Sequence, residues 1–129
     1  MKEIQGPFKV KGTPAEADPV LTEMGAMRMR FDKTFEGALN ATSIVSMMGL
    51  MNPEKMAGAY VALEKVTGSI EGKRGTFCLY HCSSANGGVN IQSIQVVPES
   101  GTGELAGLKG SMEIDDEKDV HSYRFKYEL

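Results

Sequence analysis

Glu64 is the residue of this sequence best suited to acid–base chemistry. It lies in an alternating stretch and shares one face with four residues that are largely apolar: Tyr60, Ala62, Val66 and Ile70. A carboxylate on a core-facing row costs free energy unless it is paired, and burial raises its pKa. A carboxyl group with a raised pKa inside a pocket is what a general acid or base requires. The alternation equally allows Val61 and Leu63 to face inward, which leaves Glu64 outside against a neighbouring strand or an oligomer partner.

The two histidines are the next candidates for chemistry. His81 shares its row with Phe77 and Leu79, so it can reach a barrel lumen from the end of a strand. The alternative is a hydrogen-bonded histidine of the core. His121 stands near the start of the last alternating stretch, where we expect solvent or an interface. We therefore take Glu64 and His81 as the candidate catalytic residues.

Cys78, His81 and Cys82 lie close together in the sequence, but their spacing does not suit a metal ion. On a strand, His81 points away from both thiols, and Cα atoms four residues apart are separated by about 13 Å. Two thiols at that distance cannot ligate one ion, and a disulfide needs Cα atoms within about 7 Å. We predict free thiols, which suit a reducing compartment, and no metal.

The run from Gly101 to Ala106 matches the dinucleotide-binding pattern Gly-x-Gly-x-x-Gly/Ala. That chemistry requires a helix to begin within the run, so that its N-terminus faces the pyrophosphate. Gly107 and Gly110 interrupt such a helix before it completes two turns. We predict instead a glycine-rich turn over residues 97–110, and no cofactor.

Strands separated by short turns must position these side chains. We predict strands over residues 4–11, 57–70, 75–81, 89–97, 108–115 and 120–129, with a loop over 12–19 and an acidic turn over 115–119. Residues 22–40 predict two strands or one bent strand, and residues 41–51 a strand that runs into a loop. About eight strands with no helical pattern between them predict an all-β fold, a closed eight-stranded antiparallel meander barrel. A barrel of this size is either filled by side chains or holds one small ligand.

Length and charge set the broad class. A chain of 129 residues predicts a single domain over residues 1–129. A formal charge of −3, without clustered Lys or Arg, argues against a nucleic-acid partner. The polar first residues do not suit a signal peptide, and no apolar run approaches the ~20 residues that span a membrane. We expect a cytoplasmic protein with no membrane partner.

Five segments carry a family resemblance: residues 60–68, 72–77, 96–110, 121–123 and 127–129. Together they resemble a family of small bacterial proteins known only as a domain of unknown function, similar in fold to the allene oxide cyclase barrel. The Ser-Gly-Thr-Gly-Glu-Leu run that starts at Ser100 is the most specific of these matches. The resemblance implies a closed barrel and a homo-oligomer, with a dimer favoured, and it implies no settled activity.

These observations lead to three functional hypotheses. The first is a small-molecule-binding barrel whose mostly apolar lumen takes a small apolar ligand and is lined by five residues: Tyr60, Glu64, Phe77, His81 and Tyr123. The second is a cyclase or isomerase that acts on a flexible apolar substrate, with Glu64 as the proton-transfer group. The third is a filled barrel that serves as a structural or interaction module.

Overall fold

The computed structural model describes residues 1–116 and 120–129, and it is a closed barrel of eight antiparallel strands. Each strand pairs with the next along the chain, and the last pairs with the first, which confirms the predicted meander. The strands are β1 (Lys2–Ala15), β2 (Met27–Phe35), β3 (Leu39–Asn52), β4 (Ala57–Ile70), β5 (Lys73–Asn86), β6 (Val89–Val96), β7 (Lys109–Asp115) and β8 (Ser122–Glu128). The predicted acidic turn over 115–119 includes residues 117–119, which lie outside the described residues.

The connection between β1 and β2 differs from the sequence-based expectation. The end of β1, predicted as a loop, continues as a strand to Ala15 because its backbone pairs with the first half of β2. A short helix, α1 (Pro19–Glu23), follows where a strand was expected to begin. Asp18 caps it by accepting a hydrogen bond from the Leu21 backbone N–H at 2.9 Å, and Pro19 occupies the first turn, where a missing N–H costs nothing.

One end of the barrel, here called the closed end, is filled by apolar side chains. Phe125 stacks between Phe77 and Tyr127, with ring centroids 5.9 and 5.5 Å away. Other buried members of the same cluster are Phe35, Leu39, Val66, Ile70, Leu79, Ile94 and Tyr123. The closed end therefore supplies most of the packing that stabilises the fold.

The glycine-rich segment over residues 97–110 covers the closed end. Leu105 and Leu108 are buried in the core cluster, and the Thr102 backbone N–H donates to the Thr76 carbonyl at 2.8 Å. The approach requires glycine at Gly75, where a Cβ atom would lie 2.0 Å from the Thr102 carbonyl oxygen. The segment contains only a three-residue 3-10 helix, Gly103–Leu105, so it does not have the long helix that dinucleotide binding needs.

The outer face of β3, β4 and β5 is unusually apolar. Val61 and Leu63 lie there exposed, so the row that carries Glu64 faces inward.

Cys78 and Cys82 are free thiols, half-buried and exposed respectively. The homo-oligomer stays a prediction. Within residues 1–116 and 120–129, no helix is both long enough and apolar enough to cross a membrane.

Candidate functional site

A buried cluster of charged and polar groups, here called the polar layer, lies inside the barrel around Glu64. Glu64 of β4 lies opposite Val45 of β3 and Leu79 of β5, so Ser43 and His81, two residues further along those strands, are its diagonal neighbours on the inner face. Lys33 of β2 lies opposite Ser43. Glu64 Oε1 lies 2.7 Å from His81 Nε2 and 3.3 Å from Lys33 Nζ, and Oε2 accepts from Ser43 Oγ at 2.5 Å. Glu64 is 1 % exposed. Both carboxylate oxygens are thus hydrogen-bonded away from bulk water.

These contacts decide the charge state of the carboxyl group. Burial is the largest single influence and by itself raises the pKa of Glu64. The hydrogen bond from His81, the charge of Lys33 and the hydrogen bond from Ser43 act in the opposite direction, and together they hold the pKa below its ordinary value. The expectation of a raised pKa is therefore wrong, because three donors converge on a group that the sequence showed only as a lone carboxylate.

The lowered pKa predicts an acid-sensitive contribution to stability. The ordinary pKa of a glutamate, 4.5, applies to the unfolded chain, and in the folded chain the pKa of Glu64 is lower. As the pH falls, the unfolded chain therefore binds the proton first. The ionised Glu64 makes its full contribution to the free energy of unfolding above pH 4.5. That contribution is lost as the pH drops through the lower pKa of Glu64 in the folded chain. Urea denaturation as a function of pH should show the gap between wild type and Glu64→Gln narrowing over this window. Glu113→Gln, on the outer surface, should lie within about 1 kcal/mol of wild type at every pH. An unchanged gap for Glu64→Gln would contradict the assignment.

His81 is held by the carboxylate in a defined orientation. An ionised carboxylate only accepts hydrogen bonds, so His81 Nε2 carries a proton and donates it to Glu64. Within the described part of the chain, no group bonds to His81 Nδ1. Nδ1 is therefore the nitrogen that remains for a bound molecule.

Lys33 is the site residue that the sequence analysis did not select. Its side chain is 8 % exposed, and its ammonium lies 5.3 and 5.8 Å from the ring centroids of Phe8 and Phe35. Aromatic faces attract a cation at this range, so the rings and Glu64 together accommodate the buried charge. Its alternation with Phe31 and Phe35 in β2 was the signal available from the sequence.

A cavity of about 290 Å³ extends from the polar layer toward the end of the barrel opposite the closed end. Apolar side chains form much of its wall: Phe8, Val10, Phe31, Val45, Met47 and Ala62. Tyr60, Lys33 and His81 also line it, and Glu64 lies behind the last two. A larger concavity of about 660 Å³ is lined mainly by outward-facing side chains of β1 to β4, among them Lys9, Lys11 and Lys65.

Two of the predicted lining residues lie elsewhere. Phe77 is packed in the closed-end cluster against Phe125. The Tyr123 hydroxyl donates to the Glu36 carbonyl at 2.7 Å and accepts from the Leu39 backbone N–H at 3.2 Å. Of the five residues predicted to line the lumen, the structure therefore brings Tyr60, Glu64 and His81 together at the polar layer and its cavity.

The comparisons with known proteins agree with this architecture. The model of a family described as a protein of unknown function, DUF3224, matches residues 4–127. The chain belongs to the DUF3224 family. A crystal structure of a DUF3224 protein of unknown function from Shewanella oneidensis MR-1 is similar along the whole length, with 39 % identity and a TM-score of 0.92. The alignment covers 100 % of this chain and 98 % of that one, and no curated protein matches the sequence. The likeness to allene oxide cyclase stays a prediction.

A second histidine–carboxylate pair lines the cavity of this DUF3224 chain. His121 Nδ1 lies 2.6 Å from Asp116 Oδ1, and the His121 ring lies 5.3 Å from the Phe8 ring. The His121 side chain is 34 % exposed, in agreement with the expected position near the start of the last strand. The sequence pattern places Asp116 only in the acidic turn over 115–119 and contains no signal that pairs it with His121.

The described residues offer no built metal site. Within residues 1–116 and 120–129, no three His, Cys, Asp or Glu side chains are grouped so that they can hold a metal ion. The Glu64 carboxylate accepts hydrogen bonds from Lys33 and Ser43. The groups of the polar layer can donate and accept hydrogen bonds and can transfer protons.

Proposed function

We propose that this barrel binds a small, mostly apolar molecule that carries one hydrogen-bonding oxygen. The observation that supports the proposal is a fixed polar layer at the base of a cavity whose wall is largely apolar. Binding sites of this kind combine an apolar surface with a few polar groups that fix the orientation of the ligand. The presence of the cavity favours this hypothesis over a filled structural barrel.

The charges of the polar layer favour an uncharged ligand. Glu64 is held in its ionised form, and its negative charge offsets the positive charge of the Lys33 ammonium 3.3 Å away. A further full charge brought to this level would have no counter-charge and would bear the cost of desolvation. A neutral carbonyl or hydroxyl oxygen avoids that cost.

Lys33 and His81 also supply the hydrogen bonds that such an oxygen needs. An ammonium has three N–H donors, and in the described chain only Glu64 accepts one of those of Lys33. A carbonyl or hydroxyl oxygen can accept another. A neutral His81 ring would accept from a hydroxyl at Nδ1, since Nε2 donates to Glu64. The cavity of about 290 Å³ lies at the lower end of the usual range for small-molecule sites, so the ligand is compact.

The geometry gives Glu64 a positioning role. Both of its oxygens are hydrogen-bonded, and neither needs a proton from a ligand. Glu64 holds Lys33 and His81 in place, so that a free N–H of the Lys33 ammonium and Nδ1 of His81 have a fixed arrangement. The predicted cyclase or isomerase with Glu64 as its proton-transfer group is therefore less well supported than binding.

The test compares probes that differ only in their oxygen. Saturation-transfer NMR should show binding of cyclohexanone and cyclohexanol, and much weaker binding of cyclohexane at the same concentration. Ala62→Phe fills the cavity and should abolish the signal, whereas Ala59→Phe places the same side chain on the exposed face of β4 and should preserve it. Melting curves establish that both variants are folded, since overpacking costs about 1–3 kcal/mol. Equal binding by the two variants, or no preference for the oxygen-bearing probes, would refute the proposal.

A further inference from the structure

The Asp116–His121 pair has the arrangement of a proton-transfer group, and nothing in the proposed binding function uses it. We propose that His121, oriented by Asp116, acts as the base that enolises a ketone held in the cavity by Lys33. This inference rests on the proposed binding function and adds a catalytic activity to it. The substrate class is a compact, mostly apolar ketone with a hydrogen on the carbon next to the carbonyl.

The first support is the orientation of the imidazole. A carboxylate oxygen accepts a hydrogen bond, so the 2.6 Å contact places a proton on His121 Nδ1 and leaves Nε2 as the basic nitrogen. A carboxylate that fixes the tautomer and orientation of a histidine in this way is a recurring part of proton-transfer sites. The His121 ring also packs against Phe8, with centroids 5.3 Å apart, which limits its rotation.

The second support is the placement of an oxyanion partner on the same aromatic ring. Lys33 Nζ lies 5.3 Å from the Phe8 centroid, the same distance as the His121 centroid. Phe8, Lys33 and His121 all line the same cavity, so a small ketone resting on Phe8 there is within reach of both groups. Its carbonyl oxygen would accept a hydrogen bond from Lys33. The negative charge that develops on that oxygen during enolisation has its counter-charge in the imidazolium that forms at His121 in the same step.

Solvent access favours His121 over His81 as the base. The His81 side chain is 5 % exposed and its Nε2 proton is committed to Glu64. The His121 side chain is 34 % exposed, so a proton that it accepts from the substrate can exchange with water. Continued turnover requires that exchange.

The proposed step balances without an oxidant or reductant. The C–H bond next to the carbonyl breaks, and its proton forms a new N–H bond at His121 Nε2. The electron pair of the C–H bond forms the C=C bond of the enolate, and the carbonyl π pair moves to the oxygen beside Lys33. The imidazolium then returns a proton to the same carbon, or after exchange a deuteron from heavy water.

The experiment follows the loss of the α-proton signals of cyclohexanone in heavy water by proton NMR, with binding measured in the same sample by saturation transfer. The folded wild-type chain should exchange the α-protons much faster than an equal concentration of free imidazole. His121→Gln should lose about 100-fold or more of this rate while it retains binding, since general base catalysis contributes about 10²–10⁴-fold. Added imidazole should restore part of the rate in His121→Gly.

Asp116→Asn tests the positioning role. It should lower kcat for exchange by more than about tenfold and leave KM for cyclohexanone unchanged, because it disturbs the tautomer of His121 and not the binding surface. Asp32→Asn, which makes the same change on the outer face of β2, should leave both constants unchanged. Bound cyclohexanone that exchanges no faster than with free imidazole, or a His121→Gln variant as fast as wild type, would overturn the inference alone. Absence of cyclohexanone binding would instead remove the binding function on which it rests.

Discussion

Replacing Glu64 with leucine should lower the free energy of unfolding by about 3–5 kcal/mol, because it leaves a buried ammonium without its counter-charge. The Lys33 side chain is 8 % exposed, and its ammonium lies 3.3 Å from Glu64 Oε1. The substitution also leaves the Glu64 partners Ser43 and His81 without their acceptor. Urea denaturation of wild type and variant at pH 7 measures the difference directly.

Two controls separate the buried charge from a general loss of packing. The double variant Lys33→Met/Glu64→Leu removes both charges together and should recover much of the loss, because buried ion pairs are often replaceable by apolar side chains of similar volume. Breaking the exposed Arg124–Glu113 pair with Glu113→Gln should cost at most about 1 kcal/mol. If Glu64→Leu alone were as stable as Glu113→Gln, the polar layer would not hold a buried charge.

The second large effect concerns the closed end. Phe77→Ala should cost about 3–5 kcal/mol, because it removes a 1 % exposed ring that stacks on Phe125. Cyclohexanone binding by the folded fraction should be unchanged, because Phe77 does not line the cavity. Denaturation and saturation-transfer NMR on the same preparation give the two results together.

Phe77→Leu is the matched control for that variant, since it retains an apolar side chain and should lose less stability. Ala62→Phe should show the reverse pattern, with lost binding and a smaller loss of stability. A Phe77→Ala variant that remained fully stable but lost binding would show that the ligand site extends into the closed end.

Strand alternation and turn residues were sufficient to predict the barrel. The glycines at 87 and 88 and the segment over 97–110 marked connections that the structure places between β5 and β6 and between β6 and β7. The helix α1 was missed because its five residues are too few for a periodic pattern. The end of β1 was missed because pairing with β2 outweighs the turn preference of Gly12 and Pro14.

The site was less accessible to sequence reasoning. The direction of Glu64 stayed open because Val61 and Leu63, on the outer face of β4, are as apolar as the inner row. The polar layer depends on the register of strands β2 to β5, and that register brings Lys33 to Glu64 across 31 residues of sequence. Alternation within one strand contains no information about which charges meet across several strands.

We propose above that the polar layer orients a neutral oxygen inside the barrel. A crystal structure of the protein grown with cyclohexanone tests it most directly. We expect one ketone in the cavity beside Phe8, with its carbonyl oxygen within hydrogen-bonding distance of Lys33 Nζ. A cavity that holds only water at saturating cyclohexanone, or a ketone bound with its oxygen away from Lys33, would contradict it.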